Sequence, residues 1–191
     1  MKRLIAMALA AVVVATSAPA VGNAANVDAT VLKAESVSVQ EKDQQEKFEK
    51  GEVATVKDED VEESVQLKDG EVTVTAVKSD AKTVKIKGEV NGKPVSKISA
   101  KAFKNCSKAT TIDLSDVELT SLAGKQFAGA KKAKTVKINA SKLKASKISA
   151  KALKGFKGKK IVLKGVSKKT YKKLVKKLQK SAPKGVKFKR G

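Results

Sequence analysis

The sequence lacks several residue types that catalytic and ligand sites commonly use. It contains no histidine, no tryptophan, one tyrosine and one cysteine among 191 residues. The absence of histidine removes the most common general base and the most common metal ligand. The single cysteine, Cys106, cannot form an internal disulfide and has no imidazole to activate it as a nucleophile. The composition therefore predicts no enzyme activity, no metal site and no cofactor.

Acidic residues are missing from the last part of the chain. All 19 Asp and Glu lie at or before Glu118, and residues 119–191 contain 25 Lys and Arg. Such a field attracts polyanions, with an affinity that falls as salt rises. The only arginines are Arg3 and Arg190 and aromatic residues are few, so base readout and base stacking are disfavoured. We therefore expect an anionic polymer rather than nucleic acid as a charged partner.

The first residues have the layout of a secretory signal peptide. Lys2 and Arg3 precede an apolar run over residues 4–15, and small residues continue up to residue 25. The run is shorter than the roughly 20 apolar residues that span a membrane. The pattern predicts a signal peptide at residues 1–24 and a secreted, extracellular or cell-surface protein whose membrane contact is limited to weak electrostatic attraction.

A strongly acidic stretch comes after the signal peptide. Residues 26–80 contain 15 Asp and Glu and 7 Lys, a net charge of −8. Such a composition buries little apolar surface, so we predict a disordered or partly helical linker over residues 25–64. A weak calcium site at residues 58–63 is the alternative, but the glycine and final glutamate of a calcium loop are not at the required offsets.

The next segment has strand patterns. Val72, Val74 and Ala76 alternate with polar residues, and Asn91-Gly92 is the preferred dipeptide of a two-residue hairpin turn. We therefore predict a β-meander over residues 65–98 that caps the N-terminal end of a repeat region.

Residues 95–168 contain three copies of one pattern, beginning at Ile98, Leu122 and Ile148. Each copy has apolar residues three or four apart, as in a single helical or 3₁₀ turn, and then an alternating segment typical of a strand. The predicted strands are Thr111–Leu114, Thr135–Ile138 and Lys160–Leu163. Repeats of this length stack to bury a shared core. The predicted core residues are Ile98, Phe103, Cys106, Ile112, Leu114, Leu122, Phe127, Val136, Ile138, Ile148, Leu153, Phe156, Ile161 and Leu163.

The first copy, I-x-x-K-A-F-K-N-C-x-K-x-x-x-I-x-L from Ile98 to Leu114, resembles the bacterial cell-surface leucine-rich repeats of the BspA-like type. The second copy departs from that motif at Gln126 and Ala130, and the third at Leu153 and Phe156. The resemblance implies an exported, surface-associated leucine-rich-repeat protein that binds other macromolecules through a solenoid face, but it implies no particular ligand. We expect a host or bacterial surface protein or an anionic polymer as the partner.

The chain closes with a lysine-rich segment, residues 167–191. Ser167 is a candidate N-cap, and Tyr171, Leu174, Val175 and Leu178 have helical spacing. We interpret the segment as a basic capping helix and tail. An alternative is a basic amphipathic helix that lies on an anionic membrane or in a partner's groove.

Together these features predict an α/β repeat fold, a short leucine-rich-repeat-like solenoid with an N-terminal β-meander cap and a C-terminal helical cap. The predicted function is adhesin-like protein binding or anionic-polymer binding, for example of a wall polymer or acidic glycan. The alternative is a purely structural secreted repeat module with no polyanion binding. The candidate binding residues are Lys134, Lys137, Lys160 and Lys164.

Overall fold

A computed structural model describes residues 40–58 and 60–191 of the chain. The predicted signal peptide and residues 25–39 of the predicted linker lie outside the described residues. The described part contains helix α1 (40–49), helix α2 (Lys168–Gln179) and ten strands. The strands are β1 (Val53–Asp58), β2 (Val61–Lys68), β3 (Glu71–Ser79), β4 (Thr83–Lys85), β5 (Glu89–Val90), β6 (Lys93–Ile98), β7 (Thr111–Glu118), β8 (Thr135–Asn139), β9 (Lys160–Lys164) and β10 (Lys187–Arg190).

The first sheet has the strand order β1-β2-β3-β6-β5. Strands β1, β2 and β3 form an antiparallel meander, and β3 then pairs in parallel with β6. Strands β5 and β6 form a hairpin whose turn residues, Asn91 and Gly92, have φ of 48° and 70°. Positive φ at both positions matches the twist of the flanking strands, so the predicted hairpin is confirmed.

The second sheet has the order β10-β9-β8-β7-β4, and all its pairs are parallel. The three strands predicted from the repeated pattern are confirmed as β7, β8 and β9. Their alternating residues point to opposite faces, and the inward rows stay in register across the three strands. These rows are Ile112, Val136 and Ile161, followed by Leu114, Ile138 and Leu163.

The predicted core residues of the repeats, from Ile98 to Leu163, are all buried. Three phenylalanines, one from each copy, form a column. The ring centroids of Phe103 and Phe127 are 6.0 Å apart and stacked, and those of Phe127 and Phe156 are 6.2 Å apart and edge to face. Cys106 lies in the same core, where burial raises the pKa of its thiol to about 11.

The predicted fold class is wrong. The chain is not an α/β leucine-rich-repeat solenoid with caps: the described part is mostly β-structure in two five-stranded sheets, with only two helices. The apolar spacing of three and four residues forms no regular helix, because the first copy has only a three-residue 3₁₀ turn, Ala102–Lys104, and the other two have turns. The antiparallel meander is also not a cap, because it continues through β6 and β5 into a five-stranded sheet.

The linker prediction for residues 25–64 is wrong where the structure describes strands. Residues 53–58 form β1, and residues 61–64 begin β2, with Val61, Glu63 and Val65 on its buried face. The buried Glu63 interrupts the apolar alternation from which a strand would be predicted. The predicted start of the meander at residue 65 is therefore too late.

The predicted C-terminal tail contains a strand. Helix α2 connects β9 to β10, which pairs in parallel with β9 through Phe188 opposite Ile161. A parallel neighbour requires such a crossover connection, and α2 provides it. Leu174 and Leu178 of α2 are buried, so one side of the helix packs on the core, but α2 is a crossover connection rather than the predicted terminal cap.

Replacement of Gly129 by alanine is expected to lower the free energy of unfolding by about 1–3 kcal/mol, the usual cost of overpacking. A Cβ atom at Gly129 would lie 2.5 Å from Cα of Lys104, so two backbones would have to separate. Gly124→Ala is the control, because its Cβ would first meet the Ser149 hydroxyl at 3.2 Å. Urea unfolding of both variants checks this, and equal losses would contradict the close approach.

Candidate functional site

The four candidate lysines do not form one free binding surface. Lys137 on β8 donates to Oδ2 of Asp113 on β7 at 2.7 Å, and the side chain of Asp113 is only 13% exposed. Partial burial raises the pKa of Asp113, but hydrogen bonds from Lys137 and Ser115 hold it below its ordinary value. Lys137 therefore neutralises the charge of Asp113 on the neighbouring strand and is not free to bind a ligand.

The other three candidate lysines lie at or near β9. Lys160 and Lys164 are at the two ends of that strand on its outward face, and both are half-buried. Lys134 is exposed just before β8, where its carbonyl oxygen accepts hydrogen bonds from the amides of Lys159 and Lys160. These three lysines make no ion pair within the described residues, so they stay candidates for binding.

Two further lysines pair with the other acidic residues of β7. Lys142 donates to Oε2 of Glu118 at 2.8 Å, and Lys85 donates to Oδ2 of Asp116 at 2.8 Å. The hydrogen bond from Lys142 lowers the pKa of Glu118, and the reciprocal bond raises that of Lys142. Every acidic residue of β7 thus has a lysine partner on a neighbouring segment.

The pairing stops before the last part of the chain. Residues 144–191 contain 18 Lys, one Arg and no Asp or Glu. The nine ion pairs among the described residues use lysines no later than Lys142. The C-terminal part of the fold therefore carries positive charge that the described acidic residues do not neutralise.

Helix α2 displays the densest part of this charge. The hydroxyl of Ser167 caps the helix by accepting from the amide of Thr170 at 3.2 Å. Buried Leu174 and Leu178 fix the inward side, so the lysines occupy the outward side. We name these residues the α2 lysine face; they are Lys168, Lys169, Lys172, Lys173, Lys176 and Lys177.

The α2 lysine face destabilises its own helix. It contains four Lys–Lys pairs at i,i+4, such as Lys168 with Lys172, and each costs about 0.2–0.5 kcal/mol. No acidic residue lies in the first turn, where the helix dipole favours negative charge. The sequence pattern favoured a capping helix here. The signal that pointed to a binding site was the high lysine content of the segment together with its lack of acidic residues.

Buried polar groups lie elsewhere. Glu63 on β2 is 5% exposed, and its Oε2 has no hydrogen-bond partner among the described residues. Gln126 is fully buried; its Oε1 accepts from the amide of Ala123, and its Nε2 has no described partner. No group of three or more potential metal ligands occurs in residues 40–58 and 60–191.

The comparisons with known proteins give no relatives. No family model, no curated protein and no solved structure matches the chain. Within the range that the structure describes, no helix is both long and apolar enough to cross a membrane.

Proposed function

We propose that the protein is an exported or surface-associated binding protein that holds an anionic polymer on the α2 lysine face. The observation that carries this proposal is the unpaired charge of residues 144–191, most concentrated on a helix whose lysines repel each other. A polyanion would relieve that repulsion and release its own counterions. Solubility alone would be served by mixed charges, such as the ion pairs of β7 and β8.

The lysines of the α2 lysine face favour loose contact with the repeating backbone of a polymer. Lysine is a hydrated point charge without the fork geometry of arginine, and Arg190 is the one arginine in the described part. The α2 lysines recur every four residues, which advances about 6 Å along the helix axis. A polymer with regularly spaced phosphate, sulfate or carboxylate groups, such as a wall polymer or an acidic glycan, fits this arrangement.

The test is binding of the full chain to immobilised polyglycerol phosphate and to neutral dextran across a salt series. We expect binding only to the phosphate polymer, with an affinity that falls steeply as salt rises. The variant K169Q/K172Q/K173Q/K176Q should bind at least about tenfold more weakly and show a shallower salt slope. Glutamine has a helix propensity close to that of lysine, so the fold is preserved.

A matched control removes the same charge elsewhere. Lys93, Lys104, Lys131 and Lys132 are exposed and make no ion pair with the described residues. Their joint replacement by glutamine should leave most of the affinity and the salt slope intact. Equal losses in both variants would show that only net charge matters, and no binding at any salt would favour the structural-module alternative. Lys137 is excluded from the test set because its replacement would leave Asp113 without its partner.

A further inference from the structure

A groove lined by lysine and hydroxyl side chains lies apart from the α2 lysine face. It has a volume of about 580 Å³ and is lined by residues of β6, of the segment after β7 and of the segment after β8. This volume lies within the range of small-molecule sites. One wall is the segment that contains the 3₁₀ turn Ala145–Lys147, which packs beside α2. We name it the lysine–hydroxyl groove.

Four lysines line this groove. Lys97 donates to Glu71 at 3.1 Å, as Lys142 does to Glu118, and these ion pairs fix both side chains while leaving them partly exposed. Lys144 and Lys147 are exposed and have no carboxylate within 4.0 Å among the described residues. The carboxylates of Glu71 and Glu118 offset the charges of Lys97 and Lys142, and Lys144 and Lys147 leave the groove a net charge near +2.

Hydroxyl groups lie between the lysines. The hydroxyl of Thr120 donates to the carbonyl oxygen of Ser96 at 3.3 Å, and that of Ser141 approaches Glu118 at 3.5 Å. The hydroxyl of Ser121 makes no hydrogen bond to a described residue and is free to donate. Leu143 lies buried beneath the groove. Lysines and hydroxyls together bind tetrahedral oxyanions, and the hydroxyls suit an attached sugar.

We propose that the lysine–hydroxyl groove binds a phosphate or sulfate monoester carried on a sugar or polyol. The inference goes beyond the polymer binding proposed above, because the groove offers a discrete site for one ester group. It does not depend on that proposal, since its free lysines are Lys144 and Lys147 rather than those of α2. The ammonium groups bind the ester oxygens, and the hydroxyls of Ser121 and Thr120 contact the polyol.

The experiment is a titration of the full chain with glucose 6-phosphate, glucose 6-sulfate, inorganic phosphate and glucose, followed by amide NMR. Saturable shifts are expected at residues 120–121 and 141–147 with both esters and not with glucose. Equal affinity for inorganic phosphate would overturn the sugar contact. Chemical-shift changes confined to α2 would show that the ester does not bind in the lysine–hydroxyl groove.

Two variants separate this groove from general charge. K144Q/K147Q should weaken ester binding at least about tenfold, because it removes two charged hydrogen bonds. K154Q/K157Q removes the same charge at exposed positions outside the groove and should leave the affinity unchanged. Equal weakening in both variants would overturn the proposal. The variant K169Q/K172Q/K173Q/K176Q should bind the ester as the natural chain does. Ester binding in the groove can therefore be tested even if α2 binds no polymer.

Discussion

Replacement of Phe127 by alanine is expected to lower the free energy of unfolding by about 3–5 kcal/mol. Phe127 is fully buried and is the central ring of the column with Phe103 and Phe156. The variant removes the apolar area of one ring and two aromatic contacts, each worth about 0.5–1.5 kcal/mol beyond the buried area. Urea unfolding of the full chain, with the slope held common to all variants, measures the loss.

Two further variants identify the source of that loss. Phe127→Leu gives the second copy the residue that the third copy has at Leu153, and we expect a cost of about 1–2 kcal/mol from the lost aromatic contacts. Phe188→Ala removes a half-buried ring at β10 and should cost less than Phe127→Ala. If Phe127→Ala and Phe188→Ala cost the same, the phenylalanine column is not the centre of the core.

The three repeated strands could be predicted because each alternates apolar and polar residues over four or more positions. The β1–β2 hairpin could not, since the acidic composition of residues 52–63 outweighed a weak alternation that Glu63 interrupts. Strand β10 has a single apolar residue, Phe188, and is recognisable only once α2 has placed it beside β9. In these places tertiary contacts, rather than local propensity or apolar pattern, determine that a strand forms.

Two of the ion pairs join residues whose separation in the sequence equals one repeat. Asp113 and Lys137 are 24 residues apart, and so are Glu118 and Lys142, which is the period of the first two copies. A parallel ladder brings residues one period apart side by side, so the ion pair between Asp113 and Lys137 results from the register. Glu118 lies opposite Asn139 after a register shift, and Lys142 reaches it from the segment after β8. The same reasoning shows that Lys160 and Lys164 have no acidic residue one strand back, where Thr135 and Asn139 lie.

The variant Glu63→Gln is expected to remove about 3 kcal/mol of pH dependence from the free energy of unfolding. Burial and, to a smaller extent, the charge of Asp58 raise the pKa of Glu63 from 4.5 to about 7, against the opposing charge of Lys87. The folded state thus favours the protonated carboxyl. Its contribution is complete below pH 4.5 and is lost as the pH rises through about 7, by about 1.4 kcal/mol for each unit of pKa difference.

Urea unfolding at a series of pH values from about 4.5 to 8 measures this difference. Within that window Glu63 is the described carboxyl with a raised pKa, whereas Glu71, Asp113 and Glu118 have lowered values. Those three groups stabilise the fold above their unfolded pKa and lose that effect only as the pH falls below about 4.5. The stability change caused by Glu63 therefore occurs above about pH 4.5, whereas that caused by Glu71, Asp113 and Glu118 occurs below it.

The neighbouring residue provides the control. Glu62 lies on the opposite face of β2, where its carboxylate is 4.0 Å from the ammonium of Lys78. Glu62→Gln should keep the pH dependence of the natural chain, whereas Glu63→Gln should be more stable than the natural chain at about pH 8 and close to it at about pH 4.5. Parallel curves for the natural chain and Glu63→Gln would show that the carboxyl of Glu63 finds a partner or water in solution. A buried acid on the inward face of an acidic strand would then cost the fold nothing.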